Sequence, residues 1–123
     1  MKNKDNTFKA VYDEQITYQN EIVQRGIYTG FENNVGNIPG DYPKLFTYHI
    51  QHLMSEIGEV LASDKRWKSF RNAKYNRDSK KQEIADCFIV LMNIAIFSGI
   101  SAEELEEAIC NKIKNNYRRI QNL

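Results

Sequence analysis

The chain has 123 residues, 41% hydrophobic and 27% charged, which is the size and balance of one ordinary globular domain spanning residues 1–123. A formal net charge of +1 excludes a global pull toward nucleic acid or an anionic membrane, so any electrostatic function has to be local. Cys87 and Cys110 lack the CxxC or Cys/His spacing of a zinc or redox site and read as reduced core thiols of a cytosolic protein.

The polar start, MKNKDNTF, has none of the apolar character of a secretory signal. Apolar residues then recur at three and four rather than at two, and only two prolines interrupt the chain, so helices are expected throughout. The first runs from Thr7 to Tyr28, with Phe8, Val11, Tyr12, Ile22 and Val23 on one stripe. Gln19 falls within that stripe, where it either reads a base edge in a pocket or satisfies a buried backbone group. Asn33 to Pro43, NNVGNIPGDYP, is turn chemistry and predicts a long loop.

A second helix is expected after Asp41 and Pro43, a cap and first-turn pair, and continues to Ser63. Asp64 to Asp78 breaks the periodicity. The third helix is expected to open at Ser79, with Gln82 at capping-box spacing, and to stop near Ser98 and Gly99. Its run CFIVLMNIAIF, Cys87 to Phe97, is far shorter than the roughly 20 residues needed to cross a bilayer and predicts a buried helix. Ser101 and Glu104 repeat the capping box for a fourth helix, whose acids come early and whose bases come late, as the helix dipole favours. The expected class is all-α, a four-to-five-helix bundle.

At about 100° per residue, Phe46, Ile50, Leu53, Met54, Ile57, Val60 and Leu61 share one side of the second helix. His49, His52, Glu56 and Glu59 form a narrow strip bordering that side, at the edge of the core. The third helix repeats the device with Glu83 and Asp86, three apart at the start of its apolar run, and Asn93 lies two turns further along the same side. Carboxylates at a core edge are costly unless something positive compensates them, and two helices each offering acids at i and i+3 suit a hard, oxygen-seeking ion. The same acids also read as two ordinary helix edges, and a zinc site from His49, His52 and Glu56 is a further alternative.

The fourth helix is expected to bury Leu105, Ala108, Ile109, Ile113 and Ile120, with Lys112, Asn116 and Arg119 continuing that stripe. These three are either snorkelling residues of a fraying helix or a phosphate clamp.

"EIGE" at 56–59, "EIAD" at 83–86 and "GISAEELEEAICNKIKNNYRR" together resemble the MazG-like branch of the all-α nucleoside triphosphate pyrophosphohydrolases, relatives of the dimeric dUTP pyrophosphatases. The resemblance covers residues 45–119 and departs from the short MazG-type linker in its long segment between the acidic pairs. It implies magnesium-dependent hydrolysis of a nucleoside triphosphate to monophosphate and pyrophosphate for nucleotide-pool control, with Mn2+ as a substitute ion. Glu56, Glu59, Glu83 and Asp86 would hold the metal, Glu59 or Glu56 would assist catalysis, and Lys112, Asn116 and Arg119 would contact phosphates or sugar. A homodimer or homotetramer is also implied, with the helical bundle completed by the second subunit.

Between Lys65 and Arg77, KRWKSFRNAKYNR interleaves six cations with Trp67, Phe70 and Tyr75. This is a solvated loop, a nucleotide-site lid in which Trp67 stacks a base and Lys68 adds phosphate charge, or a single-strand-binding element. The last defines the competing function, a helical nucleic-acid-binding or partner-binding protein. On the nucleotide reading, His52, Gln19 and Asn93 join the substrate-binding set, the protein is cytoplasmic, and neither membrane nor nucleic acid is a partner.

Overall fold

A computed structural model describes residues 7–32, 34–68 and 74–123. Four helices carry the fold, α1 (Phe8–Gln24), α2 (Pro43–Ser63), α3 (Arg77–Ile96) and α4 (Ala102–Gln121), and no strand occurs among the described residues. Short 3-10 turns, Ile27–Gly30 and Lys65–Trp67, follow α1 and α2. None of the helices is long and apolar enough to cross a membrane.

The helix starts follow the backbone more than the nearest cap-forming residue. Pro43 occupies the first turn of α2 as expected, but Tyr42 stands at the cap without a side-chain hydrogen bond. Asp41 instead pairs in an isolated antiparallel bridge with Ser98. α3 begins earlier than Ser79: the Asn76 carbonyl oxygen of its side chain accepts the Ser79 amide at 3.0 Å. At α4 the capping box forms as the sequence predicts, the Ser101 amide donating to Glu104 Oε1 at 3.0 Å and the Glu104 amide to Ser101 Oγ at 3.2 Å. That bonding holds the Glu104 carboxyl below its ordinary value.

α2 and α3 pack against each other more extensively than any other pair, while α1 lies on α3 and α4. The buried centre is Tyr12, Tyr28, Leu45, Ala95, Ile96, Phe97 and Ala102, ringed by half-buried side chains that include Ile16, Ile38, Met92 and Leu105. His49 belongs to this centre and not to its edge, because its ring stacks on Phe97 with 5.3 Å between centroids and 2° between planes. The Tyr12 hydroxyl donates to the Ile100 carbonyl at 2.6 Å, tying α1 to the α3–α4 turn.

Much of the apolar surface expected inside lies outside. On α2, Leu45 is fully buried, whereas Phe46, Ile57 and Leu61 are exposed and Met54 is 69% exposed. On α3, Val90, Ala95 and Ile96 are buried, but Phe88 is 63% exposed and Leu91 is open. On α4 only the first turns are covered: Leu105 is half-buried, and Ala108, Ile109, Ile113 and Ile120 are exposed. Cys110 is exposed on the same helix and Cys87 is half-buried, so neither thiol is a fully buried core group. The physical reason lies in the packing: among the described residues α1 is the helix that packs most on the α2–α3 hairpin besides the hairpin's own two helices, and the apolar side chains of its other side stay exposed.

Candidate metal and nucleotide site

The packing of α2 on α3 brings together carboxylates that lie more than twenty positions apart. Glu56, Glu83 and Asp86 each offer an oxygen, and these oxygens lie within 4.8 Å of one another. Among the described residues this is the only such group of three or more potential metal-ligating side chains. Spacing explains the convergence, since residues three apart on a helix share a face and the two helices lie side by side. Glu56 and Glu83 are half-buried and Asp86 is exposed, so the group lies at the mouth of the helix–helix seam.

Glu59 is exposed and stands outside the group, though it is near enough for its charge to act on Glu83. Partial burial, and then the charges of Asp86, Glu59 and Glu56, push the Glu83 carboxyl above its ordinary value. Cys87 feels the same field: burial first, then Glu56, Asp86 and Glu83, raise its thiol. Among the described residues no lysine or arginine forms an ion pair with any of the four acids, and the nearest counter-group is His52, whose Nε2 lies 3.2 Å from Glu56 Oε1. An all-oxygen set of clustered, uncompensated carboxylates fits a hard divalent ion. The zinc alternative is not supported, since neither His49 nor His52 joins the group.

Behind the acids runs a buried chain of polar side chains. Asn93, 4% exposed, accepts from Gln15 Nε2 at 2.8 Å and from Gln19 Nε2 at 3.0 Å. Gln19 Oε1 accepts from the Tyr28 hydroxyl at 2.6 Å, and Tyr28 lies 3.4 Å from His49 Nε2. Gln19 therefore satisfies neighbouring side chains and not backbone, the partners that the sequence left open. The Nδ1 atoms of His49 and His52 are buried without a hydrogen-bond partner. Burial, assisted by the nearby His52, lowers the His49 pKa to about 4, and burial raises Tyr28 to about 12. Gln15, Tyr28 and His49 were not singled out as partners. The available signal was Gln15 one helical turn before Gln19, on the same stripe.

At the far end of the hairpin, Asp64 accepts from Arg66 Nε and Nη2 and from Lys80 Nζ, each at 2.8 Å. Arg66, and then Lys80, hold its carboxyl well below the usual range. The Arg66 guanidinium also lies 3.6 Å above the Tyr75 ring. A cleft of about 590 Å³ opens here, lined by Val60, Leu61, Asp64, Arg66, Trp67 and Lys80. Trp67 is 59% exposed at its edge, and Lys68 stands over the indole at 5.2 Å. Lys80 precedes Glu83 by one helical turn, so this cleft adjoins the acids. Phe70 and Arg71 of the basic segment lie outside the described residues.

The expected phosphate clamp is not assembled within one chain. Lys112, Asn116 and Arg119 are all exposed on the distal half of α4, which packs chiefly on α1 through its first turns. Arg119 Nη1 reaches Asn116 Oδ1 at 3.5 Å, and neither Lys112 nor Arg119 forms an ion pair among the described residues. Compared with known proteins, the chain matches no family model, no curated protein and no solved structure.

Proposed function

We propose that the protein is a magnesium-dependent nucleoside triphosphate pyrophosphohydrolase, in the manner of the MazG-like enzymes that its acidic pairs and last helix resemble. The observation that carries the reading is the meeting of Glu56, Glu83 and Asp86 across the α2–α3 seam, with their oxygens within 4.8 Å and no lysine or arginine paired to them among the described residues. Glu59, one turn from Glu56, completes the ligand set or serves as the base that takes a proton from water. A divalent ion held there would lower the pKa of a bound water and balance charge on the departing pyrophosphate.

The neighbouring residues have matching tasks. Trp67 presents a largely exposed indole for a base, and Lys68 stands over its ring. His52 orients Glu56 through the 3.2 Å contact. Asn93 and Gln19 are engaged with each other and with Tyr28, so their part is to fix the inner wall of the pocket instead of reading a base directly. Lys112 and Arg119 provide the charge for the triphosphate, and Asn116 hydrogen-bonds a sugar hydroxyl or a phosphate. The exposed apolar faces of α2, α3 and α4 support assembly with further copies of the chain.

The competing reading, single-strand binding through residues 65–77, has less to work with. Arg66, one of the segment's six cations, is already committed to Asp64, leaving one fewer to follow a phosphate backbone. The deciding experiment is pyrophosphate release from a panel of ribo- and deoxyribonucleoside triphosphates, with and without magnesium. Turnover of at least one triphosphate that stops when magnesium is chelated is expected, and Glu59→Gln or Asp86→Asn should lower it at least about 100-fold, as loss of a metal ligand or base does. Absence of turnover on every triphosphate would refute the assignment.

A further inference from the structure

Among the described residues, the cleft between the end of α2 and the start of α3 offers a ligand hydrogen-bond donors and no spare side-chain acceptor. Its lining is Val60, Leu61, Asp64, Arg66, Trp67 and Lys80. Asp64 brings the acceptor oxygens of this set, and both are filled. Oδ1 takes the Arg66 backbone amide at 3.2 Å and Arg66 Nε at 2.8 Å, while Oδ2 takes Arg66 Nη2 and Lys80 Nζ, each at 2.8 Å. A carboxylate has about four acceptor positions, so Asp64 has none to give. Arg66 and Lys80 keep further N–H groups beyond those bonds, and the Trp67 indole carries an N–H and no acceptor.

The two cations are held in place. Asp64 grips the Arg66 guanidinium in a fork, and the guanidinium lies 3.6 Å above the Tyr75 ring, with Lys80 Nζ 5.3 Å from the same ring. The Asp64 side chain is only 14% exposed, which shelters the bonds that fix both of them. Donors fixed in this way discriminate between ligands, because they cannot turn into acceptors for a ligand that brings its own N–H. The rest of the wall is apolar, and about 590 Å³ is room for a planar ring system. A phosphate would leave Val60, Leu61 and the indole unused, and it would meet the Asp64 carboxylate, which balances one of the two positive charges.

We propose that this cleft selects the base of the nucleotide, favouring those that turn a carbonyl oxygen toward Arg66 and Lys80 (guanine, hypoxanthine, uracil, thymine) over those that turn an amino group there (adenine, cytosine). Arginine or lysine with the O6 and N7 of guanine is the most frequent specific pairing of such donors with a base edge. An amino group in that place sets donor against donor and leaves the cations unpaired. The proposal rests on the pyrophosphohydrolase reading for what becomes of the bound nucleotide, whereas the selection depends on the cleft alone.

The test is a binding measurement that needs no turnover. Trp67 is the chain's one tryptophan, so its fluorescence reports on this cleft. With EDTA present, the full chain is titrated to millimolar concentration with inosine and adenosine monophosphates, then with uridine and cytidine monophosphates. Each pair differs only at one ring position, an oxo group in the first member and an amino group in the second. The oxo member should bind about five- to tenfold more tightly in both pairs, with calorimetry giving the same order. Arg66→Gln and Lys80→Gln, both at surface positions and checked for folding by circular dichroism, should each reduce that ratio toward one. Equal binding within the pairs, tighter binding of the amino members, no binding of any monophosphate, or a ratio unchanged in both variants overturns the proposal. So does inorganic pyrophosphate if it shifts the Trp67 emission as far as inosine monophosphate does, since the cleft would then hold phosphate. Base preference without turnover of any triphosphate removes the functional reading and leaves the cleft; turnover without base preference does the reverse.

Discussion

His49 lies flat on Phe97, ring planes 2° apart, with its Nδ1 buried and unbonded. A neutral imidazole tolerates that position and a charged one does not, which is why its pKa falls to about 4. An unfolded histidine titrates near 6.5, so between about 6.5 and about 4 the unfolded chain binds a proton that the folded chain refuses. Stability is therefore unaffected by this group above about pH 6.5 and declines as the pH drops below it. By pH 5 the loss should approach about 2 kcal/mol. Denaturant melts of wild type and His49→Gln at pH 7 and pH 5 check the sign: the wild type should lose more stability than the variant over that interval. An equal loss in both would show that His49 is not the responsible group.

Glu83 sits among like charges, and the direction of its shift gives a second expectation. Without divalent ions, Glu83→Gln should raise the melting temperature slightly, since removing one of several neighbouring carboxylates relieves like-charge repulsion. With millimolar magnesium the order should reverse, because the wild type gains binding energy that the variant has lost. Thermal melts with EDTA and with magnesium chloride give both numbers, and parallel behaviour of the two proteins in both buffers would remove the acids from any metal role.

Gly40 and Gly58 should respond to alanine in opposite ways. A methyl group on Gly40 would lie 2.5 Å from the Asn37 carbonyl oxygen and 2.7 Å from Tyr42 Cε2, distances that force the loop to move. Gly40→Ala should cost about 1 to 3 kcal/mol and loosen the Gly40 amide bond to the Ile96 carbonyl. Gly58, inside α2, meets nothing within 4 Å, so Gly58→Ala should stabilise by about 0.5 to 1 kcal/mol through helix propensity alone. Urea denaturation of the two variants separates the effects.

How far the sequence reached differs from residue to residue. Periodicity located four helices, and i, i+3 spacing put Glu83 and Asp86 on one edge of α3, because helical geometry makes such neighbours almost obligatory; Glu56 meets them across the α2–α3 seam, while Glu59 stands outside the group. Ser101 and Glu104 were legible for the same reason, as a capping box is a local device. Asn76 in place of Ser79, and Tyr42 in place of Asp41, were not legible: several residues near each start could act, and the tertiary position of the preceding loop decides which backbone turns extended. Gln19 and Asn93 were each visible as a polar residue in an apolar stripe, but they come from different helices, and nothing in the sequence pairs them with each other or with Tyr28. The stripe through Ile109, Ile113 and Ile120 told that one face of α4 is apolar without telling what covers it, and the expectation of burial in the same chain was the error.

The α2–α3 hairpin is fastened at both ends. At one, Gly40 and Tyr42 donate their amides to the Ile96 and Phe97 carbonyls, each at 2.9 Å, just before α2 starts and where α3 stops. At the other, Asp64 holds Lys80 at 2.8 Å, just after α2 ends and within the first turns of α3. Sliding α3 by one turn past α2 would shift every facing pair by about 5.4 Å and break both fastenings at once. The two helices thus behave like a ruler clamped at each end, and the carboxylates between the clamps keep a spacing set by bonds that none of them makes.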